Sequence, residues 1–510
     1  MLNKFYITTP IYYVNASPHI GHSYTTIAAD VLSRFKRRAL GKGKVHFLTG
    51  TDEHGQKIQK AADAAKVSAQ EFVDRTSRQF KGLWESLDVS YDDFIRTTEE
   101  RHVKAVRKCL EILFKKGDIY EGKYEGLYCT PCETFWLESQ VKDGLCPDCG
   151  RPVEHIVESN YFFRLSKYQG WLLDFLKDNP GFIRPASRYE ETLRFLELNA
   201  LNDLCISRPK ERLNWGIVLP FAPAHVTYVW FDALVNYLSA VGEFDEADNY
   251  ISQWWPAELH LMAKDILRQH TVYWPIMLRA LGIPLPKAVF AHGWWMINED
   301  KMSKSKGNAV NPLEMVKKYG LDTYRYFLLR EVPFGLDGNF SEEGIVKRYN
   351  SDLANDLGNL VYRTLTMVEK YFNGNIPVIN LAELKDNRRL AEIFAAIQNL
   401  GGKISAALDG LNFSLALESI WELIGMANKY VEETKPWNLA KENKDQELKE
   451  FIALLVQVIR AVADQLEIFI PQTAALIKEQ FQEDKVKKGK PLFPRLETGK
   501  NQDKEKNLKR

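Results

Sequence analysis

Two short strings hold the residue types best able to do chemistry. His19-Ile20-Gly21-His22 sets two imidazoles three residues apart. At a helix start that spacing puts both rings on one face. Free N–H groups and the helix dipole favour phosphate at the same place. Gly21 leaves room for a nucleotide to approach the backbone. Alone, a His-x-x-His string is usually a surface pair or a satisfied core pair. No glutamate stands beside it as in the metal-binding His-Glu-x-x-His pattern. The second string, Lys301-Met302-Ser303-Lys304-Ser305, sets two lysines in a short polar loop. Such loops are usually just solvated. This one follows the aromatic stretch His292-Gly293-Trp294-Trp295 and precedes Gly307-Asn308. Two lysines there can cover the phosphates of ATP and offset the charge that develops on departing pyrophosphate. The strings lie 282 residues apart. Together they describe a clamp for a nucleoside triphosphate with no Walker-type loop.

A third group is Cys129-Thr130-Pro131-Cys132 and Cys146-Pro147-Asp148-Cys149, separated by 13 residues. Cys-x-x-Cys lets two thiolates converge on one ion, and Gly144 and Gly150 permit tight turns around the second pair. Four soft ligands at this spacing suit tetrahedral Zn²⁺; an iron site or a redox pair are the alternatives. Four thiolates leave no open coordination position, so the site is expected to be structural. Cys109 and Cys205 lie outside it and read as buried bystanders.

These groups need a scaffold. Lys4 to Ile11 reads as a buried strand. Pro18 stands at a helix start, and Tyr24, Ile27, Ala28, Val31, Leu32 and Phe35 recur at helical spacing as far as Leu40. Val45 to Leu48 follows as a second strand. Ser68-Ala69-Gln70-Glu71 is a capping box, and Thr97 to Glu100 repeats it. Strand, helix, strand, helix in this order predicts a parallel α/β domain. The pattern changes near Gly117 and resumes with Val226 to Phe231, Glu258 to Met262 and Lys287 to Phe290. The region between reads as an insertion between two halves of the sheet. After about Ser341 the chain is almost wholly helical, with amphipathic segments at 345–372, 387–408, 413–434 and 445–480, interrupted by Pro436 and Pro471. This predicts a helix bundle. In its first helix Leu353, Leu357, Leu360, Val361, Thr364 and Val368 form one stripe. Asn359 and Arg363 lie on another side, roughly 110–150° away.

Hydrophobic residues make up 45%, charged residues 26% and aromatics 12% of the 510 residues, an ordinary soluble composition. No apolar run approaches the roughly 20 residues of a membrane span. The N-terminus lacks a secretory signal pattern, and six cysteines do not make a disulfide scaffold. A reducing cytoplasm is the expected location. The net charge of +1 does not announce a nucleic-acid partner, so such a partner needs a local basic surface. Residues 485–510 hold ten Lys/Arg against three Asp/Glu. They read equally as a solubilising tail or a binding one.

The paired strings resemble the signature of class I aminoacyl-tRNA synthetases. Within that class the chain resembles the methionyl-tRNA synthetase family, of the bacterial type with a single four-cysteine knuckle. Thr9 to Asn15, Gly50-Thr51-Asp52-Glu53-His54-Gly55, Tyr228 to Leu234, Lys264 to Leu267 and Ala291 to Trp295 carry the likeness across nearly the whole chain. Two positions depart from the family pattern. Ala263 stands where glycine is usual, and Gln269 stands where an aromatic is usual.

The resemblance implies an α/β fold. A Rossmann-like parallel-sheet catalytic domain (1–116 and 225–292) is split by a zinc-knuckle insertion (117–224, knuckle 126–152). A segment contacting the tRNA stem, with the Lys301 to Ser305 loop (293–344), follows. A helical anticodon-binding domain (345–482) and a basic tail (483–510) complete the chain. It implies activation of L-methionine by ATP with Mg²⁺, then transfer to tRNA(Met), initiator tRNA included. His19, His22, Lys301 and Lys304 are the implied catalytic residues. Lys304, Asp265, Gly21, His292 and Gly293 are implied for ATP. Ile11, Tyr13, Asp52, Trp230, Ala233, Leu234, Tyr237, Ile266 and His270 are implied for methionine. Asp52 would pair with its ammonium, and aromatic walls suit its thioether. Asn359, Arg363, Pro436 and Trp437 are implied for the CAU anticodon, the tryptophan by stacking on an unstacked base. The insertion looks too small for the separate editing domain of the isoleucyl, valyl and leucyl relatives. No further tRNA-binding, dimerising domain fits after the bundle, so a monomer without membrane contact is expected.

Three rivals have distinguishing features. A cysteinyl-type synthetase would need an open zinc position, which four cysteines deny. A nucleotidyltransferase working without tRNA would not need the helical domain with Trp437. A zinc-knuckle RNA-binding module would not need Lys301 to Ser305.

Overall fold

The first strand shows how this chain builds its sheet. Phe5-Tyr6-Ile7-Thr8-Thr9-Pro10-Ile11-Tyr12-Tyr13 is buried except at Ile11 and Tyr13. Near-continuous burial, rather than alternation, marks a strand of a parallel sheet covered on both faces. In the computed structural model this is β1 (Phe5–Tyr13), joined by β2 (Val45–Asp52), β3 (Asp93–Arg96), β4 (Ile183–Arg184), β5 (Leu259–Ala263) and β6 (Val289–His292). Their order is β3-β2-β1-β5-β6-β4, and every neighbouring pair is parallel. Residues 4–130, 134–136, 138–147, 149–297, 300–301, 310–381, 387–482 and 484–496 are described. The chain divides into two units, Met1–His292 and Gly293–Arg510.

Chain order runs from β1 outward to β3, crosses to β4 at the opposite edge, and returns to β5 on the other side of β1. That is a topological switch point, and open α/β sheets bind ligands in the crevice outside the strands' carboxyl ends there. The β1–β2 register shifts between Thr8 and Ile11. Pro10 lies in that gap and cannot donate to the ladder. Such an irregularity re-aims the residues after it, here Ile11 and Tyr13.

The covering helices of this unit include α1 (Ile20–Leu40), α2 (Gln56–Ala65), α3 (Ala69–Ser86), α4 (Glu100–Lys115) and α5 (Val229–Leu234). Ser68 caps α3 as its box predicts, its Oγ accepting from the Glu71 N–H at 3.2 Å. The second box does not form. Glu99 is the N-cap of α4 and makes no side-chain cap bond. The Thr97 hydroxyl accepts instead from the Glu53 N–H at 2.9 Å. Helix α1 starts at Ile20, two residues after Pro18 and four before Tyr24, the first residue of the apolar pattern.

The region read as an insertion has two parts. Ile119–Cys129, Thr134–Trp136, Glu154–Phe163 and Leu204–Cys205 form a separate antiparallel sheet. The helices Gln169–Asp178 and Ala186–Leu198 belong with the parallel sheet. Leu172, Leu176 and Leu196 share one core with Val106, Leu110, Trp274 and Ile276, and β4 between those helices closes the sheet edge. Two residues are too few to show strand periodicity in sequence.

In the second unit a small sheet is built from Trp295–Ile297, Asp300–Lys301 and Gly338–Asn339. The helices follow. A wide-turn segment, Tyr349–Gly358, runs into α6 (Asn359–Phe372); then come Arg388–Asp409, α7 (Phe413–Thr434), α8 (Pro436–Lys441), Asp445–Leu466 and Pro471–Gln480. Each interrupting proline opens a helix, where its missing N–H costs nothing. Among the described residues no helix is long and apolar enough to cross a membrane.

Candidate active site

The carboxyl ends of the strands gather most of the residues singled out for small-molecule chemistry. Tyr13 ends β1, Asp52 ends β2, and the two are register partners. Lys264-Asp265-Ile266 follows β5 directly, and His292 ends β6.

His19 is the N-cap of α1. Its Nδ1 accepts from the Gly21 N–H at 3.1 Å, and the Nδ1 of His22 accepts from the His19 N–H at 3.0 Å. This is a reciprocal capping box built from imidazoles instead of a hydroxyl and a carboxylate. The rings stack with centroids 3.9 Å apart. Both Nδ1 atoms accept, so in each neutral ring the proton must sit on Nε2. The helix start therefore carries two protonated Nε2 atoms beside its own positive end. His22 makes edge-on ring contacts with Tyr12 and Phe80, with centroids 4.9 and 5.3 Å apart. A Cβ on Gly21 would come within 2.9 Å of His19 Cε1, so glycine here first makes space for the cap itself. His292 is buried, and its Nε2 lies 2.6 Å from the Thr25 hydroxyl, one turn into α1. Gly293 opens the second unit, and a Cβ there would meet the Leu336 backbone at 2.2 Å. Close backbone approach alone requires glycine at that position.

Behind the sheet ends lies a neutral, hydrogen-bonded pair. His270 Nδ1 is 2.9 Å from the Ile266 carbonyl, which can only accept, so Nδ1 carries the proton. Its Nε2 therefore accepts from the Tyr237 hydroxyl at 2.6 Å. Burial lowers the His270 pKa from 6.5 to about 4. His260 backs the same tyrosine with ring centroids 4.2 Å apart. The Trp274 indole N–H donates to His260 Nε2 at 3.2 Å, so His260 Nδ1–H donates to Thr8 Oγ1 at 2.7 Å. Burial holds His260 well below its ordinary pKa. Ile11, Tyr13, Trp230 and Ile266 are half-buried, Ala233 and Leu234 are buried, and Asp265 is exposed.

The motif strings also hold residues that sequence reasoning passed over. Asp232, one residue before Ala233, is fully buried. Its two oxygens lie 2.7 Å from His54 Nδ1 and 2.7 Å from His102 Nε2. Burial raises its pKa, but the two imidazoles outweigh that and the net shift is downward. Glu53 is fully buried and takes a two-pronged ion pair from Arg96 at 2.7 and 2.9 Å. These pairs tie the loop after Asp52 to β3 through Arg96 and to α5 through Asp232, which also holds His102 of α4. Lys57 stands 5.4 Å from the centre of the Tyr13 ring. His54 and Asp232 sat inside the quoted strings. His102, 130 residues from Asp232, gave no local signal.

Three of the four expected metal ligands come together. The sulfurs of Cys129, Cys146 and Cys149 lie within 4.8 Å of one another, with Cys129 and Cys149 3.5 Å apart. That is too far for a disulfide and suits thiolates sharing one ion. Gly144 and Gly150 both take positive φ, +71° and +67°, making the turns that bring Cys146 and Cys149 round. Cys132 lies outside the described residues, as do Met302 to Ser305, Lys304 among them. The Lys301 backbone pairs with Met296 in the small sheet of the second unit. Cys109 and Cys205 are buried, and burial pushes both thiols upward in pKa, as suits bystanders.

The model of the family described as tRNA synthetases class I (M) matches residues 5–156 and 151–365. A methionine–tRNA ligase of Caldanaerobacter subterraneus is 50% identical, over 98% of this chain and 80% of its own length. That of Bacillus subtilis is 46% identical, over 97% and 78%. The chain belongs to the methionyl-tRNA synthetase family. Among solved structures, Mycobacterium tuberculosis methionyl-tRNA synthetase bound by methionyl-adenylate superposes with a TM-score of 0.89 at 40% identity, covering 96% of this chain and 100% of that one. The ligand-free form of that enzyme gives 0.83 at 36% identity, covering 98% and 99%.

The residues that the resemblance assigns to the anticodon lie on two elements of the second unit. The stripe Leu353, Leu357, Leu360, Val361, Thr364 and Val368 is buried, while Arg363 is exposed and Asn359 half-buried. Helix α7 stops at Thr434, and Lys435 takes a left-handed φ of 48°. Pro436 then opens α8, buried, with Trp437 beside it 46% exposed. The proline thus interrupts the helical run by beginning a helix of its own.

Proposed function

We propose that the protein activates L-methionine with ATP and transfers it to tRNA(Met), initiator and elongator alike. In the first step a methionine carboxylate oxygen attacks the α-phosphorus, and the bond to pyrophosphate breaks. In the second, a ribose hydroxyl of the tRNA's 3′-terminal adenosine attacks the carbonyl carbon, and AMP leaves. No enzyme-linked intermediate is needed, so catalysis is positioning and charge stabilisation. The observation that carries this reading is the imidazole capping box, whose geometry puts the proton of each neutral ring on Nε2 at a helix start. These donors would hold ATP phosphates, and Lys301 and Lys304 would offset the charge on leaving pyrophosphate. Asp265 would serve the ribose, Gly21, His292 and Gly293 are likewise assigned to the nucleotide, and Mg²⁺ would accompany it.

Asp52 would take the methionine ammonium. Ile11, Tyr13, Trp230, Ala233, Leu234, Ile266, Tyr237 and His270 would wall the thioether. The neutral Tyr237–His270 pair supports that assignment, because an uncharged pocket suits an uncharged side chain. Cys129, Cys132, Cys146 and Cys149 would hold one zinc ion; a closed thiolate set supplies folding energy, not an open coordination position. Asn359, Arg363, Pro436 and Trp437 would read the anticodon. The expected protein is a cytoplasmic monomer. The test is amino-acid-dependent ATP–pyrophosphate exchange across the twenty amino acids. Methionine alone should respond; a response to cysteine, or none, overturns the reading.

A further inference from the structure

The basic C-terminal stretch reads in sequence as a tail, yet residues 484–496 form a strap anchored at both ends of the helical stretch 349–372. Its start is held by the Gly374 turn: the Ile376 N–H donates to the Asp484 carbonyl at 3.0 Å, and the Val486 N–H to the Gly374 carbonyl at 2.8 Å. Its end is held by Asn350, which donates to the Leu496 carbonyl at 3.0 Å and accepts from the Leu496 N–H at 2.9 Å. Between these anchors the Phe493 ring meets Tyr349 edge-on at 5.7 Å, and the Tyr349 hydroxyl donates to the Pro494 carbonyl at 2.9 Å.

This strap is strongly one-signed. Lys485, Lys487, Lys488, Lys490 and Arg495 are all exposed, against the single acid Asp484. Two of the cations reach the helix face in question. Arg495 Nη2 donates to Asn355 Oδ1 at 3.3 Å, and the same oxygen accepts from Asn359 Nδ2 at 3.2 Å. Lys488 sits 5.2 Å over the Tyr362 ring, next to Arg363 in sequence, and pairs with Glu369 at 3.4 Å. The apolar and backbone contacts fix the strap, and its charge remains at the surface.

We propose that residues 484–496 form a fixed wall of the anticodon-arm surface, with Lys488, Lys490 and Arg495 contacting tRNA phosphates beside Asn359 and Arg363. This rests on the reading of that helix face as the anticodon site. Phosphate contacts position RNA without reading its sequence, and each released counterion adds to the salt dependence. The test measures binding of two transcripts across a salt series: methionine tRNA, and the same tRNA with its CAU anticodon replaced. Changing Lys488, Lys490 and Arg495 together to Gln should flatten the slope of log affinity on log salt by about 2. It should also weaken both transcripts by the same factor, on the order of tenfold or more at physiological salt. The charge-keeping exchange Lys488→Arg, Lys490→Arg, Arg495→Lys should restore the wild-type slope. An unchanged slope in the Gln variant overturns the proposal whatever else is found. Arg363→Ala serves as the separate check on the underlying reading and should weaken only the CAU transcript. If it weakens neither, that reading fails independently of the strap.

Discussion

His270 shows what a single buried ring contributes to this site. Its Nδ1–H is committed to the Ile266 carbonyl, and its Nε2 accepts from Tyr237. Protonating Nε2 would turn an acceptor into a donor and reverse that bond. Burial holds the folded-state pKa at about 4 against 6.5. The unfolded chain binds the proton as pH falls through 6.5, whereas the folded chain waits until about 4. Stability therefore rises with pH across that window. The contribution is complete above about 6.5 and is lost on acidification, by roughly 3 kcal/mol at 1.36 kcal/mol per pH unit. Unfolding free energies at pH 5 and 7 should differ more in the wild type than in His270→Gln; equal pH slopes would refute the buried neutral ring. His22 does two jobs, so its truncation should show two costs. His22→Ala should cost about 1 kcal/mol of stability through the lost cap. It should also raise the adenylation barrier by about 2–4 kcal/mol through the lost donor. Thermal unfolding reads the first and ATP–pyrophosphate exchange the second; an unchanged exchange rate would remove His22 from the site. Residues of this kind were legible because their neighbours in sequence share the site. The Asp232–His54–His102 cluster was not, because its members lie 178 and 130 residues apart and each alone looks like a core histidine or a helix acid.

Elements bring those residues together, and glycine substitutions test how tightly. Gly50 lies in β2 two residues before Asp52. A Cβ there would stand 2.1 Å from the Ile95 carbonyl oxygen of β3 and 3.0 Å from Ile11 Cγ2 of β1. No side-chain rotation relieves a clash with a neighbouring strand's backbone. Gly50→Ala should cost about 3 kcal/mol and weaken methionine binding by displacing Ile11 and Asp52. Gly401, in the helix Arg388–Asp409, has nothing within 4 Å of its built Cβ. Gly401→Ala should stabilise by about 0.5–1 kcal/mol, the helix cost of glycine. Denaturant midpoints of the two variants should move in opposite directions; an unchanged or raised midpoint in Gly50→Ala would deny the close strand approach. The long elements were legible because their apolar spacing is itself the packing: β1, α1 and the stripe from Leu353 to Val368 follow it. Strand β4 was not, since Ile183 and Arg184 are placed by the sheet edge and not by any local pattern. The Thr97 box failed for a similar reason, its hydroxyl being taken by Glu53, 44 residues earlier.

On the scale of the whole chain, the proposed chemistry divides between two units. The capping histidines, Asp52, Tyr237 and His270 belong to Met1–His292, whereas Asn359, Arg363, Pro436 and Trp437 belong to Gly293–Arg510. Lys301 and Lys304 also belong to the second unit, but a substitution on its helices, away from those lysines, can separate tRNA recognition from amino-acid activation. Trp437 is the sharpest probe. Nearly half its surface is exposed while Pro436 beside it is buried, so the ring is anchored by its backbone rather than by a core around it. Removing an exposed ring leaves little cavity, and Trp437→Ala should cost under about 1 kcal/mol of stability. If an anticodon base stacks on that ring, its loss should cost about 1–3 kcal/mol in tRNA binding. That corresponds to roughly 5- to 150-fold in kcat/KM for aminoacylation, at 1.36 kcal/mol per tenfold. Methionine-dependent ATP–pyrophosphate exchange should keep its wild-type rate. Trp437→Phe, which keeps a stacking face, should recover most of the aminoacylation. A parallel fall in exchange and aminoacylation would mean that Trp437 supports the fold of its own unit and beyond, and that the anticodon is read elsewhere.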